Sequence, residues 1–136
     1  MSWVTDRQTT IYSRVDAILL SKLGDKYENL NVTMDNSPVQ NAMFPTVYIT
    51  FLGEMERGQT LDGETINAVN MTVEVHVKTT KDQGVLANRE IAWDVVEAFK
   101  SMRFTATMPN IPVSNFDGIY ESVSRFSRLV AQGDVI

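Results

Sequence analysis

The clearest hydrophobic pattern in the chain lies in residues 67–79, where apolar and polar side chains alternate strictly. The apolar positions of this pattern are Val69, Met71, Val73, Val75 and Val77. A period of two is typical of a β-strand with one face on a core and the other in water or against a polar partner. Residues 46–53 carry β-branched and aromatic side chains on both faces, which predicts a second strand that is partly covered on both sides.

The segment between these two strands, residues 53–64, is longer than a tight turn and contains three glycines. Its charged side chains are Glu54, Glu56, Arg57, Asp62 and Glu64. Together with the flanking strands, it predicts a long β-hairpin arm, whose glycines confer mobility and whose acids confer solubility. We therefore expect residues 54–64 to be poorly ordered in an isolated subunit and ordered in an assembly.

Two further segments have apolar residues at helical spacing. The first begins with a capping box at Thr5 and Gln8 and ends at Gly24, and the second is capped by Asp82 and covers residues 85–102. The two apolar stripes comprise Ile11, Val15, Ile18, Leu19 and Leu23, and Ile91, Ala92, Val95, Val96, Phe99 and Met102. Each stripe predicts an amphipathic helix that packs on an apolar surface.

The remaining segments predict three less regular strands. Residues 29–35 alternate over a short distance, and residues 104–113 are interrupted by Pro109 and Pro112, as in an edge strand or an extended loop. Residues 117–134 form a longer pattern in which neither face is cleanly apolar. Such a strand is often partly buried by another subunit, or lies at the edge of its sheet.

The order of these elements predicts a single α+β domain that spans residues 1–136. Helix, strands, helix and strands follow one another without an internal repeat or a linker. The expected architecture is a two-layer sandwich, in which a mostly antiparallel sheet carries two helices on one face.

Composition argues against most site chemistry. The chain has no cysteine, which removes thiolate nucleophiles and cysteine metal sites, and its only histidine, His76, falls on the polar face of a strand. The spacing of Asp62 and Glu64 does not match a calcium loop, and no glycine pattern fits a phosphate loop. We therefore predict no catalytic residue, no metal site and no cofactor.

Charge and hydropathy narrow the class of partner. The chain carries a formal net charge of −5, and its basic residues are scattered, which disfavours capture of nucleic acid by phosphate contacts. The N-terminal residues lack a signal peptide pattern, and no apolar run is long enough to span a membrane. These features favour a cytoplasmic protein with no membrane partner.

Four stretches of the chain, taken in order, resemble the tail terminator (tail completion) proteins of tailed bacteriophages. They are FPTVYITFLGE, LDGETINAVNMTVEVHVKT, NREIAWDVVEAFKSMRF and GIYESVSRFSRLV. The resemblance covers nearly the whole chain and implies an α+β structural protein without enzyme activity. It implies a ring, expected to be a hexamer, that sits on the head-proximal end of the tail tube in the virion, stops tube polymerisation and offers a docking surface to the head.

This resemblance names the partners and the candidate contact residues. The partners are other copies of the chain, the tail tube protein and the head connector or neck protein, while DNA passes through the ring without specific binding. By analogy, the hairpin reaches a neighbouring subunit or the tube, and two basic residues of the last strand are candidates for subunit contacts. The candidate interface residues are Glu54, Met55, Glu56, Arg57, Asp62, Glu64, Arg125 and Arg128.

Two alternatives remain open at the level of the sequence. A neck protein between connector and tail shares the same expected architecture. A small-molecule-binding or enzymatic α+β domain with a pocket that the sequence does not reveal is the alternative from a different class.

Overall fold

A computed structural model of the chain describes residues 2–34, 44–59, 66–116 and 118–136. Its helices and strands follow the order predicted from the sequence. They are α1 (Ser2–Leu23), β1 (Asn31–Thr33), β2 (Thr46–Gln59), β3 (Ile66–Thr80), α2 (Gly84–Ser101), β4 (Thr105–Phe116) and β5 (Ile119–Ala131). The predicted α+β fold is confirmed.

The five strands form one sheet in the order β1-β2-β3-β5-β4. Only β1 is parallel to its neighbour, and all other pairs are antiparallel. The strictly alternating strand β3 lies at the centre and pairs along its length with β2 on one side and β5 on the other. Strand β4, which contains both prolines of its segment, lies at the edge, as one of the two predictions for it required.

Both helices contribute to one apolar core on one face of the sheet. The five alternating apolar residues of β3 are all buried in it, and so are the predicted stripes of α1 and α2 with the exception of Ile18. At its centre, Phe99 of α2 stacks on Phe126 of β5 with ring centroids 4.4 Å apart. Phe104 packs edge-on against Phe99 at 5.3 Å. The two-layer arrangement thus buries the side of the sheet that carries the odd-numbered residues of β3.

Both predicted helix starts are wrong. Helix α1 begins at Ser2, three residues before Thr5, because Trp3 and Val4 pack on the core and extend the apolar face. Helix α2 begins at Gly84, and its N-cap residue is Gln83 and not Asp82. The Gln83 side chain accepts a hydrogen bond from the backbone of Thr80 and so ties the helix start to the end of β3.

The end of α1 follows the sequence prediction. Gly24 accepts no side chain without a shift of the backbone, because a Cβ atom there would lie 2.5 Å from the carbonyl oxygen of Leu20. Its backbone N–H donates to that same oxygen at 2.9 Å. Glycine at this position therefore allows the helix to end and the chain to turn toward β1.

Candidate interface on the open face and outer edge of the sheet

The face of the sheet opposite the helices, called here the open face, carries the even-numbered residues of β3. These residues are Asn70, Thr72, Glu74, His76 and Lys78, and all of them are partly exposed. Their direct partners on β5 include Glu121, Val123, Arg125, Ser127 and Leu129. Neither helix covers this face, since both contribute their buried residues to the core on the other side.

A charged network crosses the centre of the open face from β5 through β3 and back to β5. His76 contacts Glu121 Oε2 through Nδ1 at 2.7 Å and Glu74 Oε1 through Nε2 at 2.6 Å. Arg125 donates from Nε to the other oxygen of Glu74 at 2.7 Å. Lys78 Nζ lies 4.0 Å from Glu121.

His76 lies within hydrogen-bonding distance of two carboxylates, one at each ring nitrogen. A neutral imidazole carries one N–H, so both contacts are hydrogen bonds to carboxylates only when each ring nitrogen carries a proton. The guanidinium of Arg125 donates a further charge-assisted hydrogen bond to Glu74. The network therefore joins β3 to β5 by charge-assisted hydrogen bonds, and nothing in it supplies an activated nucleophile.

The pKa of Glu74 is lowered from its ordinary value of 4.5. Burial acts to raise this pKa, but the hydrogen bonds from His76 and Arg125 and the charges of those two residues lower it by more. A carboxyl group whose pKa is lower in the folded state stabilises the fold at pH values above its unfolded pKa. This contribution is lost as the pH falls through the folded pKa, which places the loss below about pH 4.5.

The Glu74→Gln variant is expected to be less stable than wild type at pH 7 by about 1–2 kcal/mol, because the side chain loses its negative charge and one of its two acceptor oxygens becomes an NH2 group that cannot accept a hydrogen bond. The difference between the two proteins should shrink as the pH falls below about 4.5, where wild type loses the same charge. Urea denaturation at several pH values measures both effects. Glu97→Gln is the matched control, because Glu97 is 66% exposed and should behave like wild type. A difference for Glu74→Gln that stays constant with pH would contradict this assignment.

Apolar side chains also lie on the open face. Val123 is opposite His76 in the register and opposite Ile111 of β4, and it is buried without belonging to the core on the helix side. Leu129, opposite Asn70, is 56% exposed. The open face is therefore a mixed surface that carries charged groups and the exposed apolar side chain of Leu129.

The outer edge of the sheet at β2 is the second part of the candidate interface. Strand β2 has fourteen residues, and β1 pairs with only the first three of them. No other described strand lies beside the remaining eleven, from Ile49 to Gln59. The backbone groups that point outward along this stretch are a template for pairing with another chain.

The register shows which residues direct these backbone groups outward. The N–H of Asn31 in β1 donates to the carbonyl oxygen of Pro45. The backbone N–H and C=O groups of alternate residues from Pro45 onward therefore point to the outer side of β2. A register shift between Phe51 and Gly53 moves this outward orientation from the odd-numbered to the even-numbered residues. Beyond it, Glu54 and Glu56 direct their N–H and C=O groups outward, whereas Met55 directs its groups to Asn70 of β3.

The predicted interface residues fall in three different places. Four of them belong to β2 and pair with β3, namely Glu54, Met55, Glu56 and Arg57. The prediction that the strand ends at Gly53 is therefore wrong. The side chains of these four residues lie outside the described part of the structure. Asp62 and Glu64 lie outside the described residues altogether, and the long hairpin arm is not confirmed. The strand continues because backbone pairing does not depend on the side-chain pattern, which the shift at Leu52 interrupts.

The two predicted arginines of β5 lie on opposite faces of the sheet. Arg125 is half exposed on the open face and bonds Glu74. Arg128 is opposite Met71 on the core side, its side chain is 9% exposed, and its Nη2 lies 3.5 Å from Asp134. Their roles in subunit contacts stay predictions.

A groove between the start of α2 and the β4–β5 pair was not predicted from the sequence. Its volume is about 350 Å³, and its lining includes Val85, Arg89, Pro112 and Val113. Beside them, the side chain of Asn88 donates to the carbonyl oxygens of Val77 and Tyr120 and accepts from Ser122. The groove escapes sequence reasoning because three separate elements supply its lining.

Comparison with known proteins does not assign the chain to a family. No family model matches the chain, and no curated protein matches it. Among the described residues, no group of histidine, aspartate and glutamate side chains is arranged to hold a metal ion. No helix in the described part of the chain is long and apolar enough to cross a membrane.

Proposed function

We propose that the protein is a structural component of a phage virion that forms a ring, expected to contain six copies, on the head-proximal end of the tail tube. The ring ends tube polymerisation and presents a docking surface to the head connector. The proposal joins the sequence resemblance described above to the unpaired outer edge of β2. It assigns no catalytic activity to the chain.

The β2 edge is the observation that carries this proposal. Soluble proteins usually protect sheet edges with prolines, bulges or short strands, because an open edge recruits another chain. Strand β4 at the opposite edge contains Pro109 and Pro112 and three register shifts, whereas β2 contains no proline, has one register shift and leaves eleven residues without a described outer neighbour. An assembly role explains why one edge is protected and the other is open.

A ring and a two-fold dimer would use the β2 edge differently. A dimer pairs the same surface of both copies, whereas a ring joins two different surfaces head to tail. The β2 edge alone is enough for a dimer, so the ring rests on the sequence resemblance and requires a second, different surface on each copy. Six copies at −5 each carry a formal charge of −30, which fits a lumen that repels passing DNA.

The mass of the assembly tests this proposal. Native mass spectrometry of the full chain, alone and with tail tube protein, should show a species of six times 15.3 kDa, or a monomer that forms this species only when tubes are added. A two-fold dimer, or a stable monomer that ignores tubes and retains a small molecule, would contradict it. A ring that binds the head connector but not the tube would instead assign the protein to the neck.

A further inference from the structure

A cleft of about 510 Å³ lies between α1, the end of α2 and the last residues of the chain. Its lining comprises Arg14, Ser101, Met102, Arg103 and residues 133–136. Two contacts hold the last residues in place. Arg7 of α1 donates from Nη2 to the carbonyl oxygen of Gln132 at 2.7 Å, and Ile136 is buried in the core. The fold therefore fixes the walls of this cleft.

Arg103 lines the cleft from a backbone conformation that favours glycine. Its φ angle is 67°. Its N–H donates to the carbonyl oxygen of Lys100 at 2.9 Å, and the N–H of Phe104 donates to that of Phe99 at 3.0 Å. These two hydrogen bonds form a Schellman motif, whose left-handed residue is usually glycine because a side chain there costs energy. An arginine in place of this glycine points to a use for its side chain.

Arg14 of α1 is the second arginine of the lining. Both arginines are exposed, and neither forms an ion pair with a described residue. A guanidinium carries five N–H donors and no acceptor. The two side chains therefore leave their donors to a ligand that is rich in acceptor oxygens.

A third arginine, Arg128, contacts the cleft residue Asp134. The side chain of Arg128 is 9% exposed, and its Nη2 lies 3.5 Å from Asp134 Oδ2. Its Nη1 is buried and has no hydrogen-bond partner in the described part of the chain. A buried donor without a partner is costly, so this guanidinium calls for an acceptor that the described residues do not supply.

The acidic groups at the cleft do not cancel these arginines. Asp134 has the only acidic side chain among the described lining residues, and its carboxylate already accepts from the N–H of Ala131 at 2.8 Å. A chain that ends at Ile136 adds its terminal carboxylate, with which neither exposed arginine pairs. Three guanidinium groups thus face two carboxylates, and the balance at the cleft is positive in a chain with a net charge of −5.

We propose that this cleft binds a tetrahedral oxyanion of the phosphate class. Guanidinium groups match phosphate oxygens through paired N–H donors. A tetrahedral group presents oxygens in more directions than a planar carboxylate, which suits arginines that come from α1, the end of α2 and β5. A cleft of this volume also has room for a small organic group attached to the phosphate. The site does not depend on the proposed ring.

Titration of the full chain with inorganic phosphate tests the site by isothermal calorimetry, with the ionic strength held constant by sodium chloride. We expect saturable binding by wild type. Arg103→Gly and Arg14→Gln should each weaken it about tenfold, because each removes a charge-assisted hydrogen bond. Arg103→Gly should not lower the melting temperature, since glycine is the usual residue at this position, so its loss of binding would not reflect unfolding.

Arg89→Gln is the matched control, because Arg89 is exposed near the other end of α2 and has no ion-pair partner in the described structure. It should bind phosphate like wild type, and acetate should bind wild type about tenfold more weakly than phosphate does. The proposal is overturned by wild type without saturable phosphate binding, by equal affinities in all three variants, or by acetate that binds as tightly as phosphate. These results leave the ring untouched, since the mass of the assembly tests it separately.

Discussion

Replacing Phe99 with alanine is expected to lower the free energy of unfolding by about 3–5 kcal/mol, the largest effect on stability that we predict for a single side chain. Phe99 is fully buried, stacks on Phe126 at 4.4 Å and meets Phe104 edge-on at 5.3 Å. Its removal leaves a cavity between α2 and β5 and ends both aromatic contacts. Since the total free energy of unfolding of a small domain is about 5–15 kcal/mol, the variant should be close to unfolding at 37 °C.

Urea denaturation of the monomer measures this loss. Trp93→Ala is the matched control, because it removes an aromatic side chain from the same helix at a position that is 50% exposed. We expect Trp93→Ala to cost about 1 kcal/mol or less, since surface positions contribute little. Equal losses for the two variants would mean that the aromatic cluster is not the centre of the core.

Replacing Glu56 with proline is expected to abolish ring assembly while the subunit stays folded. The backbone N–H of Glu56 points away from β3, so proline removes an outward donor and places its ring on the β2 edge without breaking the β2–β3 ladder. If neighbours pair along this edge, association should fall below detection at concentrations at which wild type forms rings.

Two controls separate the backbone effect from charge and from unfolding. Glu56→Gln removes the charge and keeps the N–H, so it should assemble. Met55→Pro removes a donor that faces Asn70 of β3, so it should lower stability by about 3 kcal/mol, a typical cost of proline inside a hydrogen-bonded element. Normal rings from Glu56→Pro, measured by native mass spectrometry, would show that β2 does not recruit a neighbour.

The sequence predicted those parts of the fold in which side-chain pattern and burial coincide. The alternation of β3 correctly predicted which of its residues are buried, because the strand is central and one of its faces packs against both helices. In β5 the alternation is blurred for a physical reason that the structure supplies. Ser122 and Ser124 are buried through hydrogen bonds to Asn88 and Asn110, so polar residues occupy positions where a core predicts apolar ones.

Features that depend on contacts between distant elements could not be predicted. In the network of Glu74, His76, Glu121 and Arg125, the bonds between β3 and β5 join residues 45 or more positions apart in sequence, and the lining of the groove comes from α2, β4 and β5. The course of β2 beyond Gly53 was also missed, because the shift at Leu52 ends the side-chain alternation while backbone pairing continues. In each case the sequence contains the residues but no local signal of their pairing.

The central claim is that this protein ends the growth of a tail tube, and electron microscopy of tubes polymerised in its presence tests that claim most directly. Purified tail tube protein is allowed to polymerise alone, with wild type, and with Glu56→Pro. We predict that wild type gives short tubes that carry a ring at one end, and that Glu56→Pro gives tubes as long as those formed without it. Uncapped tubes of unlimited length in the presence of the wild-type protein would contradict the proposal.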